Sequence, residues 1–291
     1  MATMVNWFRD AWPCLLVVDV SVEVALLARL CSVPTVYVRQ RGNRSDPPHA
    51  LAYASATALL APYPESFVDR PVLNEWMDKT VFTGFISRYA PYPSSDNPQS
   101  EFQAEYQAQS RPPLESKHVC VLVGYGGTVI TATSLSEAAR ASPQWQWTVV
   151  GPVSRPSAET ASPIPDNIRF LGVVNDPVRW LLSADVVIGS AGDSVVAEVA
   201  ALRKRFICFA EPRPFDEQMA TAQSLEHNGL AIYCRQWPGT ILWPVLLGRA
   251  LNLDPTRWDQ FMQADGAAKA ANAILSAAAQ VYGTQSGRTT C

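Results

Sequence analysis

Short apolar runs, each followed by a helical stretch, constrain the fold of this chain more than any other feature. The run Cys14–Val20 (CLLVVDV) is continuously apolar rather than alternating, which is typical of a strand buried on both faces. Ser21 then caps a predicted helix over Val22–Leu30, with Glu23 compensating the helix dipole in its first turn. Thr35–Val38 is the next strand. A strand–helix–strand unit of this kind predicts a parallel sheet and an α/β fold.

The same alternation restarts in the second half of the chain. Six strand-like runs are expected there: Val119–Val123, Trp147–Val150, Ile168–Phe170, Asp185–Ile188, Phe206–Phe209 and Ala231–Tyr233. Four helical stretches separate them: Thr131–Ala141, Val178–Ser183, Val195–Leu202 and Gln218–Asn228. This pattern predicts a doubly wound, Rossmann-like domain. Two further helices are expected after it, at Arg257–Gln263 and at Ala267–Tyr282, the second capped by Asp265.

A proline-rich stretch divides the two halves. Residues 88–118 carry Pro91, Pro93, Pro98, Pro112 and Pro113 among Ser, Asn and Gln, a composition that packs poorly and indicates a linker, with a short helix inside it at Glu101–Gln109. We therefore predict a partial first domain over residues 1–112 and a second domain over residues 113–291 that includes the terminal helices.

Composition and charge exclude several functional classes. A net charge of -3 gives no electrostatic reason to expect nucleic acid as a partner. No apolar run approaches the roughly 20 residues that cross a bilayer, and Met1–Asp10 does not have the pattern of a secretory signal. The six cysteines form no CxxC pair, so neither structural zinc nor a disulfide framework is expected. The simplest interpretation is a reducing, cytoplasmic setting.

The loops that follow the strands of the second half carry the candidate binding residues, because ligands of open parallel sheets bind beyond the carboxyl ends of the strands. The first loop, Gly124-Tyr125-Gly126-Gly127-Thr128, leads into a helix, and its glycines would let the backbone approach a phosphate. The loop contains neither a P-loop motif nor GxGxxG, so a tight turn without a ligand is the alternative interpretation.

Two further loops of this kind carry polar side chains. The loop at 189–194 contains Ser190, Gly192 and Ser194 and leads to Glu198, a carboxylate that could bind the two hydroxyls of a ribose or simply compensate the helix dipole. The loop at 210–218 ends in Asp216-Glu217-Gln218, an acid–acid–amide cluster that suits sugar hydroxyls. A capped helix start with a solvated acidic face is the alternative there. Together the loops could hold a phosphate, a ribose and a hexose.

Residues 119–232 resemble the C-terminal domain of glycosyltransferase family 28, whose members include the bacterial transferase that adds N-acetylglucosamine to lipid I. The resemblance is carried by residues 167–176 (NIRFLGVVND) and 184–192 (ADVVIGSAG), and it runs through Glu198 to Asp216-Glu217-Gln218 and Ala222. The family pattern is a glycine, an acid six positions on, and an acid–Gln or Gln–Gln pair after the next strand. Gly192, Glu198, Glu217 and Gln218 fit it.

The resemblance implies a fold, an activity and a set of binding residues. The fold would be GT-B, with two Rossmann-like domains and parallel sheets, the first domain being incomplete. The chain would transfer a hexose, with N-acetylglucosamine as the expected sugar, from a UDP-sugar co-substrate to an acceptor hydroxyl, without a metal or other cofactor. In its sugar-donor site, the diphosphate would lie at Gly126, Gly127, Thr128 and Ser194, with Ser190 and Gly192 in the same loop as Ser194. The backbone of Val173 and Val174 would contact the uracil, and Glu198 the ribose. The donor sugar would lie at Asp216, Glu217 and Gln218.

The first domain is short by comparison with the family. Members usually open with a strand and a glycine-rich loop that bears the acceptor site, often with a histidine as general base, whereas here one short helix at Met1–Asp10 precedes the first strand. His49 and Asp19 are the candidate catalytic bases, with a surface-loop histidine as the alternative for His49. The acceptor, a lipid or a small molecule, is left open, and a lipid acceptor would place the protein at the inner face of the membrane.

Two other functions stay open. One is a non-catalytic or fragmentary nucleotide-sugar-binding protein that needs a partner subunit or self-association through an exposed sheet edge. The other is a GT-B epimerase, which would need further acidic and histidine groups.

Overall fold

A computed structural model describes residues 1–68, 76–89, 116–154, 163–263 and 265–283. The chain divides into two compact units, one comprising residues 1–86 and 263–291 and the other residues 87–262. Each unit is built on a parallel sheet. The predicted α/β class with two parallel sheets is therefore confirmed. The predicted linker is largely outside the described residues, as are the short helix at Glu101–Gln109 and the 112/113 boundary.

The first unit has a four-stranded sheet in the order β1-β2-β3-β4, with all strands parallel. Its strands are β1 (Leu16–Asp19), β2 (Thr35–Val38), β3 (Ala58–Ala61) and β4 (Thr80–Phe82), and its first three helices are α1 (Ala2–Asp10), α2 (Val22–Leu30) and α3 (Pro47–Ser55). The helix predicted at Val22–Leu30 is confirmed with its cap, since the Ser21 hydroxyl accepts a hydrogen bond from the Val24 amide at 3.3 Å. The apolar run that the sequence shows at Ala50–Leu60 is divided between α3 and β3.

The second unit has a six-stranded parallel sheet in the order β10-β9-β8-β5-β6-β7. All six predicted strands are confirmed, as β5 (Lys117–Leu122), β6 (Trp145–Val150), β7 (Ile168–Gly172), β8 (Val186–Ser190), β9 (Arg205–Phe209) and β10 (Ala231–Cys234). The chain order reverses between β5 and β8, where a parallel sheet opens the crevice in which such folds bind ligands. Residues Lys117 and His118, assigned to the linker by the sequence, begin β5 because they pair with Trp145 and Gln146.

The four predicted helices of the second unit are confirmed and a fifth was missed. They are α4 (Ala132–Ala141), α5 (Val178–Ser183), α6 (Asp193–Ala201) and α7 (Glu217–His227), followed by the unpredicted α8 (Trp243–Leu251). Helix α8 has Pro244 in its first turn, where proline is well tolerated. The stretch predicted as a helix at Arg257–Gln263 is a 3-10 helix over Pro255–Gln260.

The last helix corrects the predicted domain assignment. Helix α9 (Gly266–Tyr282) was expected in the second domain, but it packs on the first sheet, where Ala277 joins Val36 and Leu60 in one apolar cluster. Its side chains at 270, 273, 274 and 277 follow the helical spacing of a buried face, and this spacing does not indicate which sheet the face will cover. The prediction that residues 113–291 form one domain is therefore wrong for α9.

Candidate functional site

The carboxyl edge of the second sheet brings three predicted loops together. They follow β5, β8 and β9, which are adjacent in the sheet in the order β9-β8-β5. Since parallel strands all end at the same edge, the loops after them are neighbours in space as well.

A buried glutamate holds the loop after β5. The Thr128 hydroxyl donates to one carboxylate oxygen of Glu211 at 2.5 Å, and the Val129 amide donates to the other at 3.2 Å. Glu211 is only 4% exposed, and it is the second residue after the end of β9. Hydrogen bonds to an ionised carboxylate are among the strong ones in proteins. The Thr128 hydroxyl, predicted to bind phosphate, is therefore already engaged within the protein.

An arginine from the same loop as Glu211 lies over the glycines. The Arg213 guanidinium donates from Nη2 to the carbonyls of Gly126 and Gly127, at 2.6 and 2.9 Å. A Cβ atom on Gly126 would lie 3.1 Å from the same nitrogen, so the close approach favours glycine there. Prolines on both sides of Arg213 restrict its backbone. A cation therefore lies at the glycine loop where an anionic ligand was predicted.

Gln218 links these two loops to the loop after β8. Its side-chain oxygen accepts a hydrogen bond from the Glu211 amide at 3.0 Å, and it is 7% exposed. A Cβ atom on Gly192 would lie 3.3 Å from the Gln218 amide nitrogen and 3.5 Å from the Ser190 hydroxyl. Gly192, Ser190 and Gln218 thus lie close together.

The backbone that carries the predicted acid–acid–amide cluster is unusual. Phe215 and Asp216 both have positive φ, 61° and 53°, which non-glycine residues rarely adopt outside functional or tightly determined turns. Asp216 is exposed at the start of α7, and Glu217 is half-buried in its first turn. The strained turn directs this polar cluster to the carboxyl edge of the sheet.

Glu198 lies further along α6 and has a partner that the sequence did not predict. It is 8% exposed, and its carboxylate pairs with the Arg88 guanidinium at 2.9 Å. Next to Arg88, the Tyr89 hydroxyl donates to Asp176 at 2.6 Å. Burial raises the pKa of Glu198 above its ordinary value; Arg88 opposes this rise and the Asp176 carboxylate adds to it. Glu198 and Asp176 are therefore two acids held by one short segment.

The remaining predicted residues of the sugar-donor site line the same edge. Val173 is 55% exposed and Val174 half-buried, directly after β7, and Gly172 before them has a φ of +70° that turns the chain away from the strand. Ser194 is exposed in the first turn of α6. Backbone groups at 173 and 174 can thus reach a ligand, while the contact predicted for each of these residues stays a prediction.

The two candidate bases lie in the first unit and differ in exposure. Asp19 is exposed at the carboxyl end of β1. His49 is only 4% exposed and lies in the first turn of α3, so the alternative of a surface-loop histidine is wrong. Its Nε2 is 3.2 Å from the Arg44 guanidinium and its Nδ1 is 2.7 Å from Asp46. Because a guanidinium only donates, Nε2 accepts and Nδ1 carries the proton that it donates to Asp46. Neither nitrogen is open to take a proton from a substrate in this arrangement.

Within the described ranges, no helix is both long and apolar enough to span a bilayer.

Comparison with known proteins identifies the second half of the chain. Residues 153–272 match the model of the glycosyltransferase family 28 C-terminal domain. A search of curated proteins found no match.

Solved structures match almost the whole chain at low identity. The spinosyn rhamnosyltransferase SpnG is 19% identical, with 96% of this chain and 75% of that chain covered and a TM-score of 0.61. MurG of Acinetobacter baumannii is 17% identical, with 94% and 77% covered and a TM-score of 0.65. UGT89C1 of Arabidopsis thaliana, complexed with UDP-L-rhamnose, is 10% identical, with 95% and 76% covered and a TM-score of 0.68. These similarities establish the fold.

Proposed function

We propose that the chain is a glycosyltransferase of family 28 that moves a hexose from a UDP-sugar to an acceptor hydroxyl, because residues 153–272 match the C-terminal domain of that family and the chain has the GT-B fold. The observation that carries the proposal is the convergence of the loops after β5, β8 and β9 on one network, in which Glu211, Arg213 and Gln218 connect Thr128, the glycines and Gly192. Glycines, a cation and the start of a helix together suit a diphosphate.

Each part of the network would contact one part of the sugar donor. The glycine loop and Ser194 would face the diphosphate, and the backbone of Val173 and Val174 the uracil. Glu198 would bind the ribose hydroxyls after exchanging its contact with Arg88. The polar groups of residues 216–218 would bind the hexose. Two solved structures with this fold contain pyrimidine nucleoside diphosphates, thymidine diphosphate in SpnG and UDP-L-rhamnose in UGT89C1, and this favours a pyrimidine nucleotide here as well.

Transfer would proceed by displacement at the anomeric carbon. The acceptor oxygen forms a bond to that carbon while the bond to the diphosphate oxygen breaks, and UDP leaves with the bonding pair. Positive dipole ends and backbone amides at the glycine loop would stabilise the charge on UDP. The acceptor proton would pass to a base in the first unit, and Asp19 is the exposed candidate there. N-acetylglucosamine is the sugar that we would test first.

Calorimetry with UDP, UDP-N-acetylglucosamine and GDP tests this proposal. We expect saturable binding of UDP and of UDP-N-acetylglucosamine, and weaker binding of GDP. Glu198→Ala should weaken UDP binding about ten-fold or more, since it removes hydrogen bonds to a charged acceptor. Glu137→Ala is the matched control, because Glu137 is an exposed acid on α4 of the same unit. If none of the three nucleotides binds, the proposal fails; if Glu198→Ala leaves the affinity unchanged, the ribose role of Glu198 fails.

One observation favours a second candidate, a nucleotide-sugar-binding protein that needs a partner subunit or a second copy. In the described part of the chain, β1 pairs with β2 alone, and Val17 on it is 43% exposed. Such an edge can pair with a further strand. Light scattering of the purified chain, with and without a Val17→Lys change, separates the candidates: a dimer that Val17→Lys dissociates would favour the second, and a monomer in both cases the first.

A further inference from the structure

The loop after β2 contains a buried arginine that the proposed sugar-donor site does not use. Arg39 directly follows β2, and its amide continues the sheet by donating to the Leu60 carbonyl at 2.8 Å. The residue is 6% exposed. Side chains two residues apart in a strand share a face, so Arg39 lies on the same face as Tyr37, which is covered by α3.

Arg39 lacks the partners that a buried guanidinium needs. Among the described residues, its Nε and Nη1 atoms are buried without a hydrogen-bond acceptor, and the side chain forms no ion pair. The Tyr53 ring lies beside it, with its centre 5.2 Å from the guanidinium carbon; burial raises the pKa of the Tyr53 hydroxyl, and the positive charge of Arg39 acts to lower it. Buried charges in proteins are almost always paired, because desolvation without compensation is costly. An unsatisfied group of this kind indicates a missing ligand.

The surroundings of Arg39 add positive charge. Arg41 and Arg44 follow in the same loop and are 6% and 5% exposed. Arg41 donates to the Phe67 carbonyl at 2.6 Å, and Arg44 donates to the Arg41 carbonyl at 3.1 Å and lies at Nε2 of His49. The Asp46 carboxylate is engaged by the other side of the His49 ring. Three arginines thus lie near a site at the carboxyl edge of the first sheet, the edge at which parallel sheets bind ligands.

We propose that Arg39 is the centre of an oxyanion-binding site in the first unit and that this site takes a phosphate or carboxylate group of the acceptor. The Nε and Nη1 atoms lie on different edges of the Arg39 guanidinium, so each can donate to an oxygen of its own, and phosphate and carboxylate are the oxyanions that arginine side chains bind in proteins. The assignment of the oxyanion to the acceptor rests on the proposed transferase function, whereas the binding of the anion itself does not. The protein would therefore select an acidic acceptor rather than a neutral one.

The test measures anion binding to the full chain directly. Inorganic phosphate and acetate are titrated at constant ionic strength against chloride, with the melting temperature and calorimetry as readouts. We expect phosphate or acetate to stabilise the wild-type protein saturably and chloride to have no such effect. A stronger response to phosphate indicates a phosphorylated acceptor, and a stronger response to acetate a carboxylate. Equal responses to all three anions would overturn the proposal.

Arg39→Met separates ligand binding from a structural role. The variant should weaken binding of the effective anion about ten-fold or more, as expected when a charged hydrogen-bond donor is lost. In anion-free buffer it should melt at the same temperature as the wild type or a few degrees higher, because a buried, uncompensated charge has been replaced by an apolar side chain of similar length. Arg39→Lys keeps the positive charge on a shorter reach of donors, without the planar guanidinium, and should retain part of the binding. A lower melting temperature in Arg39→Met together with an undiminished anion response would contradict the proposal.

Two further variants show which part of the protein binds the anion. Arg29→Met removes an exposed arginine at the end of α2 in the same unit and should leave anion binding within about two-fold of the wild type. Arg213→Met removes the cation at the glycine loop and should leave the Arg39-dependent response intact. If Arg213→Met abolishes the response and Arg39→Met does not, the anion binds in the second unit and the proposal fails. UDP titrations of the same proteins report on the sugar-donor site separately, so failure of one proposal is distinguishable from failure of the other.

Discussion

The two parallel sheets present very different polar groups at their carboxyl edges. At the second sheet the loops are glycine-rich and exposed. One buried acid, Glu211, accepts hydrogen bonds there from the Thr128 hydroxyl and the Val129 amide. At the first sheet the loop after β2 and the start of α3 hold buried side chains, namely Arg39, Arg44 and His49, and two of these, Arg39 and His49, lie against the Tyr53 ring. The same strand–helix–strand architecture can therefore form a site mainly from glycine backbone or mainly from buried charged side chains. Substitutions should change the stability of the protein differently at the two sheets.

The largest loss of stability is expected from Gly151→Ala, because the carboxyl edge of the second sheet contains a backbone conformation that only glycine adopts readily. Gly151 has a φ of +109°, and a Cβ atom there would lie 2.0 Å from the Val123 carbonyl oxygen. The clash is with backbone at the end of β5, so the sheet itself must move, and we expect a loss of more than about 3 kcal/mol in the free energy of unfolding. Urea denaturation measures it.

Gly124→Ala is the matched control, since a Cβ atom at Gly124 would meet nothing within 4 Å and its φ is not positive. It should change the stability by less than about 0.5 kcal/mol. Similar losses in both variants would show that the constraint is not the close approach to β5.

A smaller loss is expected from Glu211→Ala. The change leaves the Thr128 hydroxyl and the Val129 amide without their common acceptor, and hydrogen bonds to charged groups contribute about 1.5–3 kcal/mol each. Because the loop after β5 is exposed and water can replace the lost acceptor, we expect a loss of about 2–3 kcal/mol in total rather than the sum of the two bonds. Denaturation gives the loss of stability, and UDP calorimetry should show weaker binding in the same variant. Glu137→Ala, an exposed acid on α4, should be near neutral.

Sequence patterns predicted the elements better than the contacts between them. Strands β5 to β10 were predicted within about two residues because buried parallel strands are continuously apolar and end in turns. The boundary between α3 and β3 was missed, since Ala56 and Thr57 offer no glycine or proline to mark it. Ser21 was identified because its role as a helix cap is local, whereas Gly192 was identified from the family pattern.

The side-chain partners at the site could not be predicted in the same way. Glu211 and Thr128 are 83 residues apart, and Arg213 and Gly126 are 87 apart, so no local spacing indicates their contact. The Arg88–Glu198 pair was missed because Arg88 lies in a stretch whose composition indicates only a linker. Proximity of the loops follows from topology, whereas the pairing of their side chains follows from packing that a single sequence does not contain.

Replacing the capping residue Asp46 in the first unit should cause an intermediate loss of stability. Asp46 caps α3 by accepting from the His49 amide at 3.2 Å and also holds the His49 ring. Desolvation acts to raise its pKa, but the hydrogen bonds from the His49 backbone and ring outweigh this and lower it. Asp46→Ala should cost about 1–2 kcal/mol, as expected for loss of a cap. Ser21→Ala, whose cap bond to α2 is longer and single, should cost less.

The sign of the pH dependence follows from the lowered pKa of Asp46. A lowered pKa in the folded state contributes stability that is present above the ordinary value of 3.8 and is lost as the pH falls through the folded value. The difference between wild type and Asp46→Asn should therefore shrink on acidification below about pH 4, where the carboxylate is protonated. A difference that grows at acid pH would contradict this assignment.

The smallest loss of stability is expected from Arg88→Met. This variant tests whether the carboxyl edge of the second sheet also contains a buried charge, that of Glu198. Burial, the largest contribution, and Asp176 raise the pKa of Glu198, and Arg88 opposes them. A raised folded pKa means that stability is full below the ordinary value of 4.5 and is lost as the pH rises through the folded value. Without Arg88 the folded pKa should rise further, so the variant should lose more stability than the wild type as the pH increases.

Because the Arg88 side chain is 51% exposed, solvent screens its pair with Glu198, and the penalty at pH 8 should be no more than about 1 kcal/mol. Urea denaturation at a series of pH values from 5 to 8 should show the penalty increasing with pH. Arg9→Met removes an exposed arginine paired with Asp10 and should show a small difference without that trend. A penalty that is the same at every pH would mean that Arg88 acts through packing on Tyr89, whose ring centre is 5.0 Å from the guanidinium carbon, rather than through the charge of Glu198.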